Sequence, residues 1–128
     1  MTKRVLDVGQ CDLDHGNISQ LITSNFDATV DRAHLAEDAL SRLNEQSYDL
    51  VLINRILDRD GTAGLDVLRE LGQHPAASHI PLMLVSNYDD AQQAAVAAGA
   101  VPGFGKAALT DPDTYRKLDQ HLHHHPGN

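Results

Sequence analysis

The sequence is poor in several residue types whose abundance would mark a protein class. Cys11 is the only cysteine, so no internal disulfide can form and a reducing cytoplasm is the expected location. A lone thiol at a strand end most often serves as a small apolar side chain, and that reading is preferred for Cys11 over a reactive one. Basic residues are scarce: ten Lys and Arg against eighteen Asp and Glu leave a formal net charge of −8. Binding DNA or RNA rests on a basic patch and the release of counterions, so a nucleic-acid partner is not expected. No apolar run approaches the length needed to cross a bilayer, and Met1-Thr2-Lys3-Arg4 leads into a short strand instead of a signal-peptide core. What is present is ordinary for a globular protein. With 128 residues, 41% of them hydrophobic, the chain can bury a core and is too apolar for disorder.

Strand-like and helix-like runs alternate along the chain, without repeats or a long linker. Arg4 to Val8 reads as a first strand closed by Gly9, and Ile18, Leu21 and Ile22 recur at helical spacing behind Asp14, the expected N-cap. Ala28 to Arg32 is a short polar strand suited to a sheet edge. Leu35, Ala36, Ala39, Leu40 and Leu43 trace one face of a second helix. Asp49 to Ile53 is nearly all apolar, as a central parallel strand covered on both faces must be. A polar turn, 58–64, precedes a helix carrying Leu65, Leu68 and Leu71. Pro81 opens a fourth strand that ends at Ser86, Asp89 is placed to cap an alanine-rich helix, and Val101 to Gly105 forms a fifth strand. Asp111 before Pro112 is a strong start signal for a last helix with Tyr115, Leu118 and Leu122 facing inward.

Five strands alternating with five helices predict one domain over residues 1–128, a parallel sheet covered on both sides, with a frayed tail from about residue 123. In open sheets of this kind the functional site lies beyond the carboxyl ends of the strands. Those ends are Gly9-Gln10-Cys11, Asn54-Arg55, Ser86-Asn87 and Gly105-Lys106.

Four motifs stand in order along nearly the whole chain: Tyr48 to Asn54, Gly64-Leu65-Asp66-Val67-Leu68, Ile80 to Ser86, and Ala98-Gly99-Ala100 before Lys106. With them the chain resembles the receiver domain of two-component response regulators, the CheY-like family. The resemblance implies a flavodoxin-like (βα)5 fold with sheet order 2-1-3-4-5 and a place in phosphorelay signalling. It also implies a phosphoryl group passed from a histidine kinase to an aspartate, with Mg²⁺ held by that aspartate and an acidic pair after the first strand. Asn54 falls on the phosphoacceptor position, and Gly9 and Gln10 fall on the acidic pair. Ser86 and Lys106 match the two residues that contact phosphoryl oxygens, while Gly103 stands where the family carries its switch aromatic. Ala107 replaces a proline that the family joins through a cis bond; for alanine that bond costs about 2.5–4 kcal/mol, so trans is expected. The turn between Asn54 and Gly64 is about two residues longer than the family pattern.

Mg²⁺ wants oxygen ligands with compensating charge, and Gly, Gln and Asn supply none. Phosphoryl transfer depends on positioning and charge neutralisation, so the expectation is a degenerate pseudo-receiver. It would be no enzyme, would bind no Mg²⁺, would carry no output domain and would act through protein contact. In the family the fourth helix, fifth strand and fifth helix form the partner or dimer surface; here that is Ala91 to Ala98, Val101 to Gly105 and Asp111 to Leu122. An alternative is phosphorylation of a displaced aspartate, Asp58 or Asp60, with Mg²⁺; a weaker one is a small-anion sensor at Lys106.

Asp12, Asp14 and His15 past the first strand, with Asp58 and Asp60 in the long turn, could hold a cation. The preferred reading makes Asp14 a helix cap and the others solvated loop carboxylates. Asp7 is odder, because it interrupts a strand expected to be buried and shares a face with Val5 and Gly9. A buried carboxylate needs a partner or loses its charge, and Lys106 or Arg55 is the expected partner in a structural ion pair. Gly99 to Lys106 fails as a phosphate-binding loop, since Ala107 stands where Ser or Thr should follow the lysine. His121, His123, His124 and His125 are read as a solvated helix end, with metal capture by His121 and His125 the lesser alternative. Tyr88 is expected either to pack over its loop or to fill the space left by Gly103.

Overall fold

A computed structural model describes residues 2–123. Ten main elements alternate: β1 (Lys3–Val8), α1 (Asp12–Asn25), β2 (Ala28–Ala33), α2 (Ala36–Glu45), β3 (Leu50–Asn54), α3 (Gly64–Gln73), β4 (Leu82–Val85), α4 (Asp89–Ala97), β5 (Val101–Phe104) and α5 (Pro112–Asp119). Two single 3-10 turns, Pro75–Ala77 and Lys106–Ala108, complete the order. All strand pairs are parallel and the sheet runs β2-β1-β3-β4-β5, the order expected from the sequence.

Alternation along the strands builds two cores, one on each side of the sheet. Leu6, Val8, Val51, Ile53 and Leu84 face α2 and α3 through Leu43, Val67, Leu68 and Leu71. Val5, Leu50, Leu52, Met83 and Phe104 pack with Ile18 and Ile22 of α1 and with Leu118 and Leu122. The central β3 is buried along its whole length, which explains its unbroken apolar run. β2 is an edge strand and carries the polar Thr29, Asp31 and Arg32, none of them fully buried. The Tyr48 hydroxyl, before β3, donates to Asp31 Oδ2 at 2.7 Å, and burial with this carboxylate pushes the phenol up to about 12.

Two helix starts and one helix face differ from expectation. Cys11 is the N-cap of α1, and Asp14 lies inside the first turn. Tyr88 precedes α4, so Asp89 is its first residue instead of its cap. In α3 the inward positions are Val67, Leu68 and Leu71, with Leu65 only half-buried. Asp111 caps α5 as expected, accepting from the Asp113 amide at 2.9 Å. β5 holds Pro102, which an edge strand tolerates because no neighbour needs its missing N–H. Its register against β4 shifts between Met83 and Val85.

Candidate functional site

The carboxyl ends of β3, β4 and β5 meet around a hollow of about 220 Å³ bordered by Asn54, Arg55, Ser86, Tyr88 and Lys106. Asn54 ends β3 and is 8% exposed. Its Nδ2 donates to the Gly9 carbonyl at 3.0 Å, tying β3 to the end of β1. A carbonyl oxygen only accepts, so the group facing it must be the amide nitrogen. A second donor, the backbone N–H of Asp58, reaches the same oxygen at 2.9 Å.

Gly9 has φ +81°, the left-handed region that disfavours side chains. A Cβ placed there would stand 2.5 Å from Leu57 Cγ. Leu57 itself is fully buried in the core against α3. The long turn puts it there: the Leu57 N–H bonds to the Thr62 carbonyl at 2.9 Å, and Ile56 bridges Ala63 in antiparallel fashion. An apolar side chain therefore fills the space that the first residue of an acidic pair would need. This role for Leu57 escapes a motif search; its one signal is the aliphatic pair Ile56-Leu57 at the start of a polar turn.

Gln10 and Asp7 are buried behind that point. Asp7 binds His15, Oδ2 to Nδ1 at 2.7 Å, and not Lys106 or Arg55 as expected. The reason is the helix period: His15, Ile18 and Ile22 share the face of α1 turned to the sheet. Burial pushes the Asp7 carboxyl up from its ordinary 3.8, and the His15 bond and charge pull against it. Gln10 sits close enough to favour the charged form without reaching hydrogen-bond geometry: Asp7 Oδ1 and both polar atoms of the Gln10 side chain have no partner.

A raised carboxyl means that the folded chain holds its proton to higher pH than the unfolded chain does. The contribution of Asp7 to stability is thus full below its unfolded value and lost as pH rises through the folded one. Asp7→Asn should remove that slope and raise neutral-pH stability relative to wild type. Urea unfolding of both proteins between pH 4 and pH 8 checks this, and parallel curves would refute it.

Lys106 pairs with Asp14, Nζ to Oδ2 at 2.7 Å, and the same carboxylate oxygen accepts from Cys11 Sγ at 3.2 Å. The lysine beside it holds the Asp14 carboxyl below its ordinary range. The Ser86 hydroxyl accepts from the Tyr88 amide at 3.1 Å, while its backbone N–H donates to the Phe104 carbonyl at 2.9 Å. Asn87 Oδ1 holds the Ala107 amide at 3.0 Å, and no described peptide bond is cis.

At Gly103 a Cβ would run into the Leu84 carbonyl, so β4 has closed over the place of an aromatic. Tyr88 does not fill it; Tyr88 is exposed, with the Arg55 guanidinium 4.8 Å above its ring. Gln92 of α4 does the joining instead. Its Nε2 donates to the Leu84 carbonyl at 2.9 Å and the Ser86 carbonyl at 3.1 Å, and its Oε1 accepts from the Gly103 amide at 3.1 Å. Sequence reasoning missed Gln92, for which only its position three residues before the buried Ala95 gave a hint.

The other acidic candidates stay apart. Asp12 pairs with Arg32 at 2.8 Å, and Asp58 and Asp60 are exposed, with Asp60 accepting from the Thr62 amide at 3.0 Å. Among the described residues no three His, Cys, Asp or Glu converge as a metal-ligand group. The fit to Mg²⁺ fails on chemistry as well: Gly9 has no side chain, its carbonyl is taken twice, and Gln10 and Asn54 carry no charge. His121 is partly buried, which pushes its imidazole down; His124 and His125 lie outside the described residues.

No family model matches the sequence, and no curated protein does. Solved structures match along nearly the whole chain. A protein of Chloroflexus aurantiacus J-10-fl described as a response regulator superposes with a TM-score of 0.77 at 20% identity, covering 94% of this chain and 97% of that one. A response regulator from Thermotoga maritima gives 0.74 at 20% identity, with 93% and 97% covered. The chemotaxis response regulator CheY4 of Vibrio cholerae gives 0.72 at 15% identity, with 92% and 100% covered. The chain has the receiver fold. At the strand ends of that fold, Gly9, Gln10 and Asn54 offer no carboxylate. No helix among the described residues is long and apolar enough to cross a membrane.

Proposed function

We propose that this chain is a pseudo-receiver: a cytoplasmic signalling domain, without enzymatic activity, that takes up no phosphoryl group and works by binding another protein. The observation that carries this reading is the Asn54 amide bound to the Gly9 carbonyl, with Leu57 packed against Gly9. A phosphoacceptor needs a free oxygen aimed into the hollow and a cation beside it. Here the residue is a donor turned toward the backbone, and the retained lysine is neutralised by Asp14.

The partner surface proposed is the face of α4, β5 and α5, where Val96 is exposed and Lys117 is held to the Gly103 carbonyl at 2.9 Å. The Gln92 bridges and this lysine bond fix β5 against both helices, so the face is presented in one arrangement. Such a surface suits constitutive binding, with output set by the amount of protein present. No observation favours Asp58 or Asp60 as displaced acceptors: both are exposed and neither borders the hollow beside Asn54, Ser86 and Lys106.

The test is an NMR titration with Mg²⁺ and beryllofluoride, a phosphoryl mimic. Unchanged amide resonances at Asn54, Ser86 and Lys106 are expected. Saturable shifts at those amides would sink the pseudo-receiver reading and favour an acceptor aspartate nearby.

A further inference from the structure

A second hollow, of about 450 Å³, opens where β2 ends, between α2 and the 55–63 turn. Its chemistry is unlike that of the strand-end site. Arg32, Arg42 and Arg59 line it together with His34. Three of the ten Lys and Arg of an acidic chain thus border one cavity. Arg32 is anchored: its Nη2 donates to the Gln10 carbonyl at 3.0 Å and pairs with Asp12 Oδ1 at 2.8 Å. Arg42 and Arg59 make no side-chain hydrogen bond or ion pair with a described residue.

Two carboxylates, Asp38 and Glu45, also line the hollow, but Asp38 is engaged by the Leu35 amide at 3.0 Å. Guanidinium groups repel one another and gain most from a multiply charged acceptor that offers each planar fork two oxygens. Phosphate meets that need, and the hollow is within the size range of small-ligand sites. We propose that this hollow binds a small phosphate-bearing anion, with Arg42 and Arg59 as its direct ligands and Arg32 as a fixed neighbouring charge. The site is separate from the Asn54 hollow and stands or falls independently of the pseudo-receiver reading.

The geometry explains two features that receiver signalling leaves unused. The longer turn after β3 delivers Leu57 to Gly9 and, two residues later, Arg59 to the hollow. The Arg32–Asp12 pair joins the hollow to the first turn of α1, next to Gln10.

The test is an NMR titration of the intact chain with inorganic phosphate and with pyrophosphate, at constant ionic strength held with chloride. Saturable shifts are expected at the amides of residues 32–34, 41–42 and 59, tighter for pyrophosphate. Arg42→Gln and Arg59→Gln should each weaken binding about tenfold or more while amide resonances away from the hollow keep their positions, since neither side chain makes a hydrogen bond or ion pair with a described residue. Absence of saturable shifts there, shifts unaltered by either substitution, or citrate binding as tightly as pyrophosphate would each overturn the assignment.

Discussion

Asn54→Asp should lower stability and still leave the chain without a phosphate acceptor. The wild-type amide donates to the Gly9 carbonyl at 3.0 Å from a position 8% exposed. A carboxylate has no proton to give, so the change sets oxygen against oxygen where a hydrogen bond stood. Losing the bond and leaving two acceptors face to face in a buried place costs about 1–3 kcal/mol. The new carboxyl should be pushed up, because its protonated form can donate to Gly9 and its charged form cannot. Its stability contribution is then fullest at low pH and falls as pH rises through the folded value. Denaturant unfolding of wild type and variant should therefore show a gap that widens from pH 4 to pH 8. Incubation with acetyl phosphate and Mg²⁺ should add no phosphoryl mass to the variant. A phosphorylated product with Gly9 and Gln10 unchanged would show that one carboxylate suffices, and an unaltered stability would show that the amide bridge carries no weight.

Much of this was legible in the sequence because strand and helix periods are local. The unbroken run Leu50 to Ile53 could only be a central strand, and Asp111-Pro112 could only open a helix. The strand-end positions were singled out by the sheet rule, and the resemblance alone made them degenerate. What replaced the lost groups was harder to read, since each replacement comes from another element. Gln92 reaches from α4 into the β4–β5 gap, and Leu57 folds back from a turn whose length alone was visible. Asp7 shows the intermediate case. Its burial was predictable from the neighbours of β1, but its partner was sought among lysine and arginine at distant strand ends. His15 was available one turn into α1, on the same stripe as Ile18 and Ile22, and helix periodicity alone pointed to it. The lesson lies in charge-counting: a buried carboxylate can be served by an imidazole that a tally of fixed charges leaves out.

Gly9→Asp should be the most damaging single attempt to place a carboxylate at the strand ends, and it should cost less on a Leu57→Ala background than in the wild type. The backbone at Gly9 lies at φ +81°, which costs a residue with Cβ about 1–2 kcal/mol. The new Cβ would also meet Leu57 Cγ at 2.5 Å and Leu57 Cα at 3.2 Å, inside a filled core, adding about 1–3 kcal/mol of overpacking. Leu57→Ala alone removes a fully buried side chain and should cost about 2–5 kcal/mol. In the double variant the collision with Cγ disappears while the φ strain stays. The two losses should therefore fall short of their sum by about 1–3 kcal/mol, a coupling well above the scatter of independent sites. Chemical denaturation of the four proteins in the cycle measures it. Additive losses would mean that Leu57 is not what closes position 9, and the longer turn would then need another explanation. Coupling of the expected size would mean that the carboxylate at position 9 was replaced by packing, so regaining it requires dismantling core. Position 9, Asn54 and Gly103 would then each be closed by a contact of its own, with Leu57, the Gly9 carbonyl and the Leu84 carbonyl, and such contacts would support the pseudo-receiver proposed above.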